Sequence, residues 1–298
     1  MLITKNLIAF ENKILFKVDK EIITSIDIFN QSRYLTTLNT DLKNFNNEEI
    51  FELSKNIIIR EKIKKIKLER SNINLNIGEK NLNSYINAFY SPQGIYNLND
   101  YKSFLNSIEL NHDAMIEKLN IEIAWNRLIF EKFSSKLRIN QDDLKKKIMK
   151  NKNKKISSYL LSEIVFEASN KSQIENRYQK IISDIKNFGF KKAAIINSNS
   201  NTSKNGGEIG WIEETSINNK ILKEIKKLKI NEFSKPIIIP DGFLIIIFKD
   251  KKYTEKTLEY NVDEELKKLI QINTNQQLNQ YSKIYFNKIK NEVKINEY

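Results

Sequence analysis

The chain has 298 residues, 40% of them hydrophobic, which is enough for a sizeable core and comfortable for two domains. With a single histidine (His112) and no cysteine, it excludes disulfide frameworks, thiolate zinc sites, cysteine nucleophiles and any centre built on two histidines. Seven glycines and three prolines argue against turn-rich barrels and sandwiches, and no apolar run reaches the length of a membrane span.

The net charge of +13 is spread along the chain rather than gathered into the stripe that a nucleic-acid binder presents, so no nucleic-acid partner is expected. There are 44 Lys, 49 Ile and 40 Asn, all with A/T-rich codons, which points to base composition as the source of many exposed Lys and Asn. The densest basic run, Lys145-Lys146-Lys147 with Lys150, Lys152, Lys154 and Lys155, reads as a solvated helix end and linker. Residues 1–10 lack the long apolar run and small-residue cleavage site of a secretory leader, so no signal peptide is expected there.

In chain order, Ile14, Phe16 and Val18 alternate with polar residues, Asp19-Lys20 turns, and Ile22-Ile23 resumes, which predicts a hairpin. Thr24 with Asp27 three residues on is a capping box for a helix to about Leu38. A second helix, capped by Asn47, carries Ile50, Leu53, Ile57, Ile58, Ile63 and Ile66 at helical spacing. A third is opened by Gly78 or Asn76, and Ser91-Pro92-Gln93-Gly94 is a turn. Asn99 or Asp100 caps a short helix, Asn111 starts a longer one, and Asn140 caps another to residue 150.

The pattern changes at Ile156. A strand at 159–166 precedes an amphipathic helix at 171–188 that Gly189 ends, a short helix at 190–196 and a polar loop at 197–205. Strand 206–212, helix 218–228 and strands 235–239 and 243–248 complete the order β-α-α-β-α-β-β, with Asp241-Gly242 as a hairpin turn. The unbroken apolar run Phe243–Phe248 suits a strand covered on both faces. A helix at 263–290 and an alternating segment at 292–295, placed to pair with 13–18, close the chain.

Four segments carry a resemblance: Leu161-Ser162-x-Ile164-Val165, Gly207-x-Ile209-Gly210-Trp211, Ser234-x-Pro236-Ile237 and Gly242-Phe243-x-Ile245-Ile246. In this order they resemble a parvulin-type peptidyl-prolyl isomerase domain over residues 156–252. The flanks, with Val18-Asp19-Lys20-Glu21-Ile22-Ile23 and about 130 helical residues ahead of that domain, make nearly the whole chain similar to the SurA-like chaperones. Chains of that family often carry two parvulin units, whereas this one has room for one. The resemblance implies an α+β protein with a helical chaperone domain at 1–155, the parvulin-like domain at 156–252, and a C-terminal helix and strand at 253–298 packing on the first domain.

The resemblance also implies a function: an ATP-independent holdase in the periplasm, binding unfolded or nascent outer-membrane proteins and aromatic-rich peptides, with no cofactor and no metal. Binding the unfolded state opposes its aggregation by mass action. The parvulin positions test the isomerase side. The family's two histidines fall at Glu163 and Leu244, and its Cys or Asp falls at Ser200. The Met and Phe of the proline pocket fall at Ile217 and Ile221, and the small polar residue before the last strand falls at Asp241, while Ile209 keeps an apolar character. Ile209, Ile217, Ile221 and Asp241 are therefore the expected substrate-binding residues. No catalytic residue is assigned, and the isomerase is expected to be inactive. The alternative is an active isomerase with an altered groove.

Other constellations are structural. Gly206-Gly207-Glu208-Ile209-Gly210 lacks the preceding strand and following Lys-Ser/Thr of a phosphate loop and reads as a turn. His112 beside Asp113 reads as a capping or exposed residue, and the pairs Asp142-Asp143 and Glu213-Glu214 suit helix starts.

Overall fold

The computed structural model describes residues 12–298 apart from 41, 43, 44, 151–154, 169, 240, 241 and 256–260. The expectations on residues 1–10, Lys152, Lys154 and Asp241 therefore lie outside the described residues. The fold is α+β, and its packing divides the chain into two units, residues 1–131 with 285–298, and 132–284.

In the first unit β1 (Ile14–Val18) and β2 (Glu21–Thr24) form the expected hairpin, with Asp19 in the left-handed region at φ 48°. Alternation turns Phe16, Val18 and Ile23 inward, where they are buried. Thr24 and Asp27 make a reciprocal capping box at the start of α1 (Ser25–Leu38). For α2 (Asn47–Arg70) the cap is Asn46 rather than Asn47. Asn46 Oδ1 accepts from Glu49 N at 2.9 Å, and Glu49 Oε2 accepts from Asn46 N at 3.0 Å. The carboxylate three residues on decides which asparagine caps.

Gly78 opens α3 (Glu79–Tyr90). Asn97, not Asn99 or Asp100, caps α4 (Leu98–Ser107); Asp100 instead accepts from Tyr96 N and Asn97 Nδ2. In α5 (His112–Phe133), His112 Nε2 shares a 2.7 Å hydrogen bond with Asn106 Oδ1.

The core of this unit gathers Tyr34, Leu82, Ile86, Tyr101, Leu105, Met115 and Leu119 from four helices. Within it the Tyr34 hydroxyl lies 2.9 Å from those of both Tyr90 and Tyr101. Burial pushes all three phenols up, so they stay neutral and serve as hydrogen-bond partners. The lysines of α2 find acids: Lys62 reaches Glu21 at 3.0 Å, Lys64 reaches Glu122 at 2.7 Å and Lys65 reaches Glu117 at 2.7 Å.

The chain's end completes the unit. In the last turns of α9 (Val262–Lys290) Phe286 and Ile289 are buried, and Trp125 stacks on Tyr285 at 5.7 Å. Then β8 (Ile295–Glu297) pairs antiparallel with β1, Val18 opposite Ile295.

The second unit is built on β3 (Lys155–Phe166) and β7 (Gly242–Glu255), antiparallel neighbours throughout. Both strands run beyond the expected 159–166 and 243–248. β4 (Glu208–Glu213) flanks β3, while β5 (Glu232–Phe233), which the sequence pattern does not reveal, and β6 (Ile237–Ile239) flank β7. Helix α7 (Lys171–Asn197) covers one face and is broken at Gly189 (φ 83°, ψ 162°), as the sequence predicts. It buries Ile181, Phe190, Ala193 and Ala194 against Ile164, Phe166 and Ile245. The short α8 (Asn219–Ile225) lies over the other face.

The expected boundaries at 155/156 and 252/253 fall inside this second unit. The reason is a separate apolar cluster, in which Leu144 and Ile148 of α6 (Gln141–Lys150) pack with Leu269, Leu266 and Ile270 of α9. Gln277 strengthens it, accepting from Arg138 N at 2.8 Å and donating to Arg138 O at 2.9 Å. Helix 263–290 thus divides its apolar stripe, the first turns going to α6 and the last to the first unit.

Removing residues 285–298 from the chain strips β8 and uncovers the sites of Phe286 and Ile289. Two buried side chains at roughly 1.5–3 kcal/mol each predict a loss of about 3–6 kcal/mol, read as a lower urea midpoint. An unchanged midpoint would show this closure to be dispensable. A second expectation concerns Gly207 (φ 75°), where an added Cβ meets Glu163 O at 2.1 Å and Ala194 Cβ at 2.9 Å. Gly207→Ala should cost about 2 kcal/mol or more. Gly210→Ala, equally left-handed but with open space around it, should cost about 1 kcal/mol. Thermal melts that rank the pair the other way contradict this packing.

Candidate functional site

The site lies on the face of the second unit's sheet away from α7. Alternation along β3 turns Leu161 and Val165 to this face, and pairing sets Val165 opposite Leu244 and Glu163 opposite Ile246. Leu161, Val165, Ile217, Ile225, Leu244 and Ile246 form one buried apolar cluster, with Ile209, Ile221 and Leu222 partly buried against it. The expected pocket residues Ile209, Ile217 and Ile221 are thus brought together, with Leu244 beneath them.

The cluster fills itself. Leu244 is 4% exposed and Ile217 is 8% exposed, so the floor of the groove is packed aliphatic surface. Ile209 and Ile221 stay half-buried at its edge. Asp241 lies outside the described residues.

Glu163, between Leu161 and Val165 in the alternation, sets a half-buried carboxylate on this face. Ser200 caps a 3-10 turn over Asn201–Asn205, and its hydroxyl donates to Glu163 Oε1. The Thr202 hydroxyl donates to the same oxygen at 3.0 Å and lies 3.1 Å from Ser200 Oγ. Backbone bonds hold the turn: Glu163 N donates to Gly207 O at 2.7 Å and Gly207 N to Thr202 O at 2.9 Å. Ser198 Oγ accepts from Val165 N at 3.0 Å and from Ser200 N at 3.2 Å.

Sequence reasoning placed Glu163 and Ser200 separately and missed both their bond and Thr202. A hydroxyl two residues after a capping serine was the available signal. The chemistry left here is modest: one carboxylate holding two neutral hydroxyls beside a closed aliphatic floor. Among the described residues no three His, Asp or Glu side chains gather where they hold a metal ion. Trp211 stands 41% exposed on β4, with Lys252 Nζ 4.3 Å from its ring centroid.

Residues 160–250 match the family described as Rotamase, the PPIC-type PPIASE domain. Chaperone SurA of Pseudomonas putida is 25% identical over 199 residues, which is 61% of this chain and 46% of that protein. The chain therefore spans about half the length of this curated relative. Among solved structures, one reported for PEB4 and Cj1289, SurA-like chaperones of Campylobacter jejuni, is 18% identical. It covers 96% of this chain and 99% of its own, with a TM-score of 0.37. A PpiC-type peptidyl-prolyl cis-trans isomerase domain is 27% identical over 32% of this chain and 92% of its own, with a TM-score of 0.30. Residues 160–250 thus match a PPIC-type domain, and the chain that carries it is similar to Chaperone SurA over 61% of its length.

Proposed function

We propose that the protein is an ATP-independent holdase that binds unfolded outer-membrane-type polypeptides in the periplasm, and that its PPIC-type domain has lost turnover. The observation that carries the second half is Leu244. A parvulin histidine is expected at this position, and the residue here is an aliphatic side chain, 4% exposed, packed with Ile217 and Ile246. Rotation about a peptide bond faces a barrier of about 18–20 kcal/mol. An apolar contact supplies roughly 1.5–3 kcal/mol per buried side chain, and it binds the ground state as well as the twisted one. Such a groove holds chain without turning it. The similarity to a chaperone named SurA supports the holding role, and the proposed compartment and client class rest on the resemblance to the SurA-like family.

A second reading keeps an active isomerase, and one observation favours it. The Glu163–Ser200–Thr202 cluster still puts polar groups beside the groove. Two assays on the full chain separate the readings: proline isomerisation of a tetrapeptide, and suppression of aggregation of an unfolded outer-membrane protein without nucleotide. Isomerisation at background with clear suppression is expected. Catalysis well above background that disappears in Glu163→Ala would overturn the holdase-only reading.

The combined variant Glu163→His, Leu244→His, Ile221→Phe is expected to gain isomerase activity with suppression unchanged. Its buried histidine at 244 should cost about 1–3 kcal/mol of stability, seen in a thermal melt. A loss of suppression that tracks the isomerase gain would make the groove, not the helical unit, the main client site.

A further inference from the structure

Glu163 puts a carboxylate on an otherwise aliphatic sheet face, with Leu161 and Val165 on either side of it in the alternation and Ile246 opposite. Its Oε1 accepts from the hydroxyls of Ser200 and Thr202, both neutral donors. Among the described residues no lysine or arginine forms an ion pair with it. Elsewhere in the chain Glu21 pairs with Lys62 at 3.0 Å, Glu61 with Lys118 at 2.8 Å and Glu214 with Lys226 at 3.3 Å. A half-buried charge without a counter-charge is unfavourable, and a ligand that brings the opposite charge relieves it. Lys and Arg fit the geometry because their apolar stems lie along aliphatic surface while the charged head reaches an acid.

We propose that this groove selects extended segments in which a Lys or Arg neighbours an apolar residue, with Glu163 as the specificity-determining residue. The proposal rests on the reading of the groove as a client-binding surface. It runs against the chain's overall charge of +13, which repels cationic peptides, so a preference for them must come from a local acid.

The experiment uses the full chain and three labelled peptides that share an aliphatic core and carry Lys, Gln or Glu at the flanking position. The Lys peptide is expected to bind about tenfold tighter than the Glu peptide at low salt, with the ratio shrinking as salt rises. Glu163→Gln still accepts both hydroxyl hydrogen bonds and should bind the Gln peptide as before. Its Lys-to-Glu ratio should fall to one or below as the net charge takes over. The methyl signals of Ile209, Ile217, Ile221 and Leu244 should move on titration in both proteins. A ratio of one in the unmodified chain, with the Gln peptide bound and those methyls moving, overturns the charge preference and leaves the groove reading intact. An equal ratio in both proteins, or a Lys preference with the methyls unmoved, also overturns it. Failure of all three peptides to bind removes the groove as a client surface and this proposal with it.

Discussion

The pairing of β3 with β7 over the twelve residues from Lys155 to Phe166 is the constraint on which the second unit depends. It sets the two apolar faces of the sheet. Ile164, Phe166 and Ile245 go to α7, while Leu161, Val165, Leu244 and Ile246 go to the groove. Because side chains alternate with a period of two, a one-residue slip would exchange these sets and bury Glu163 against α7. The irregularity between Leu160 and Leu161 shifts the register by one residue of β7, and Tyr159 packs on Phe248 at 5.7 Å within the groove-side cluster.

The same register sets the polar side of the site. Glu163 on β3 accepts from the hydroxyls of Ser200 and Thr202 and so bridges the strand to the 200–205 turn. Gly206 and Gly207, both left-handed, let that turn lie against β3 and α7, where a Cβ on Gly207 would strike the backbone of Glu163. The bridge holds the turn whether or not the groove performs chemistry. On the apolar side Ile217, Leu244 and Ile246 meet one another and close the floor.

In the first unit the scattered lysines find local roles. Those on α2 that face inward are met by acids of β2 and α5, and Lys64 also lies 5.7 Å from the ring centroid of Trp125. Buried polar groups follow the same rule of mutual satisfaction. The hydroxyls of Tyr34, Tyr90 and Tyr101 bond one another, which ties α1, α3 and α4 through a core that is otherwise apolar.

The sequence by itself determined the parts whose signals are local. The Thr24–Asp27 capping box, the break at Gly189, the hairpin at Asp19-Lys20 and the doubly covered strand at Phe243–Phe248 are written in a few adjacent residues, because capping, left-handed turns and alternation act over one to four positions. The resemblance to parvulin domains also named Ile209, Ile217 and Ile221 together as groove residues, and these three lie in one cluster. Tertiary structure decided what depends on a distant partner. The polar ends of β3 and β7 are strands because each supplies the other's hydrogen bonds, and no alternation marks them in advance. Thr202 joins the site only once the turn folds back onto Glu163. The packing unit that holds the sheet also takes in α6, because Leu144 and Ile148 find their apolar partners on α9, more than a hundred residues away along the chain, where no local pattern could point to them.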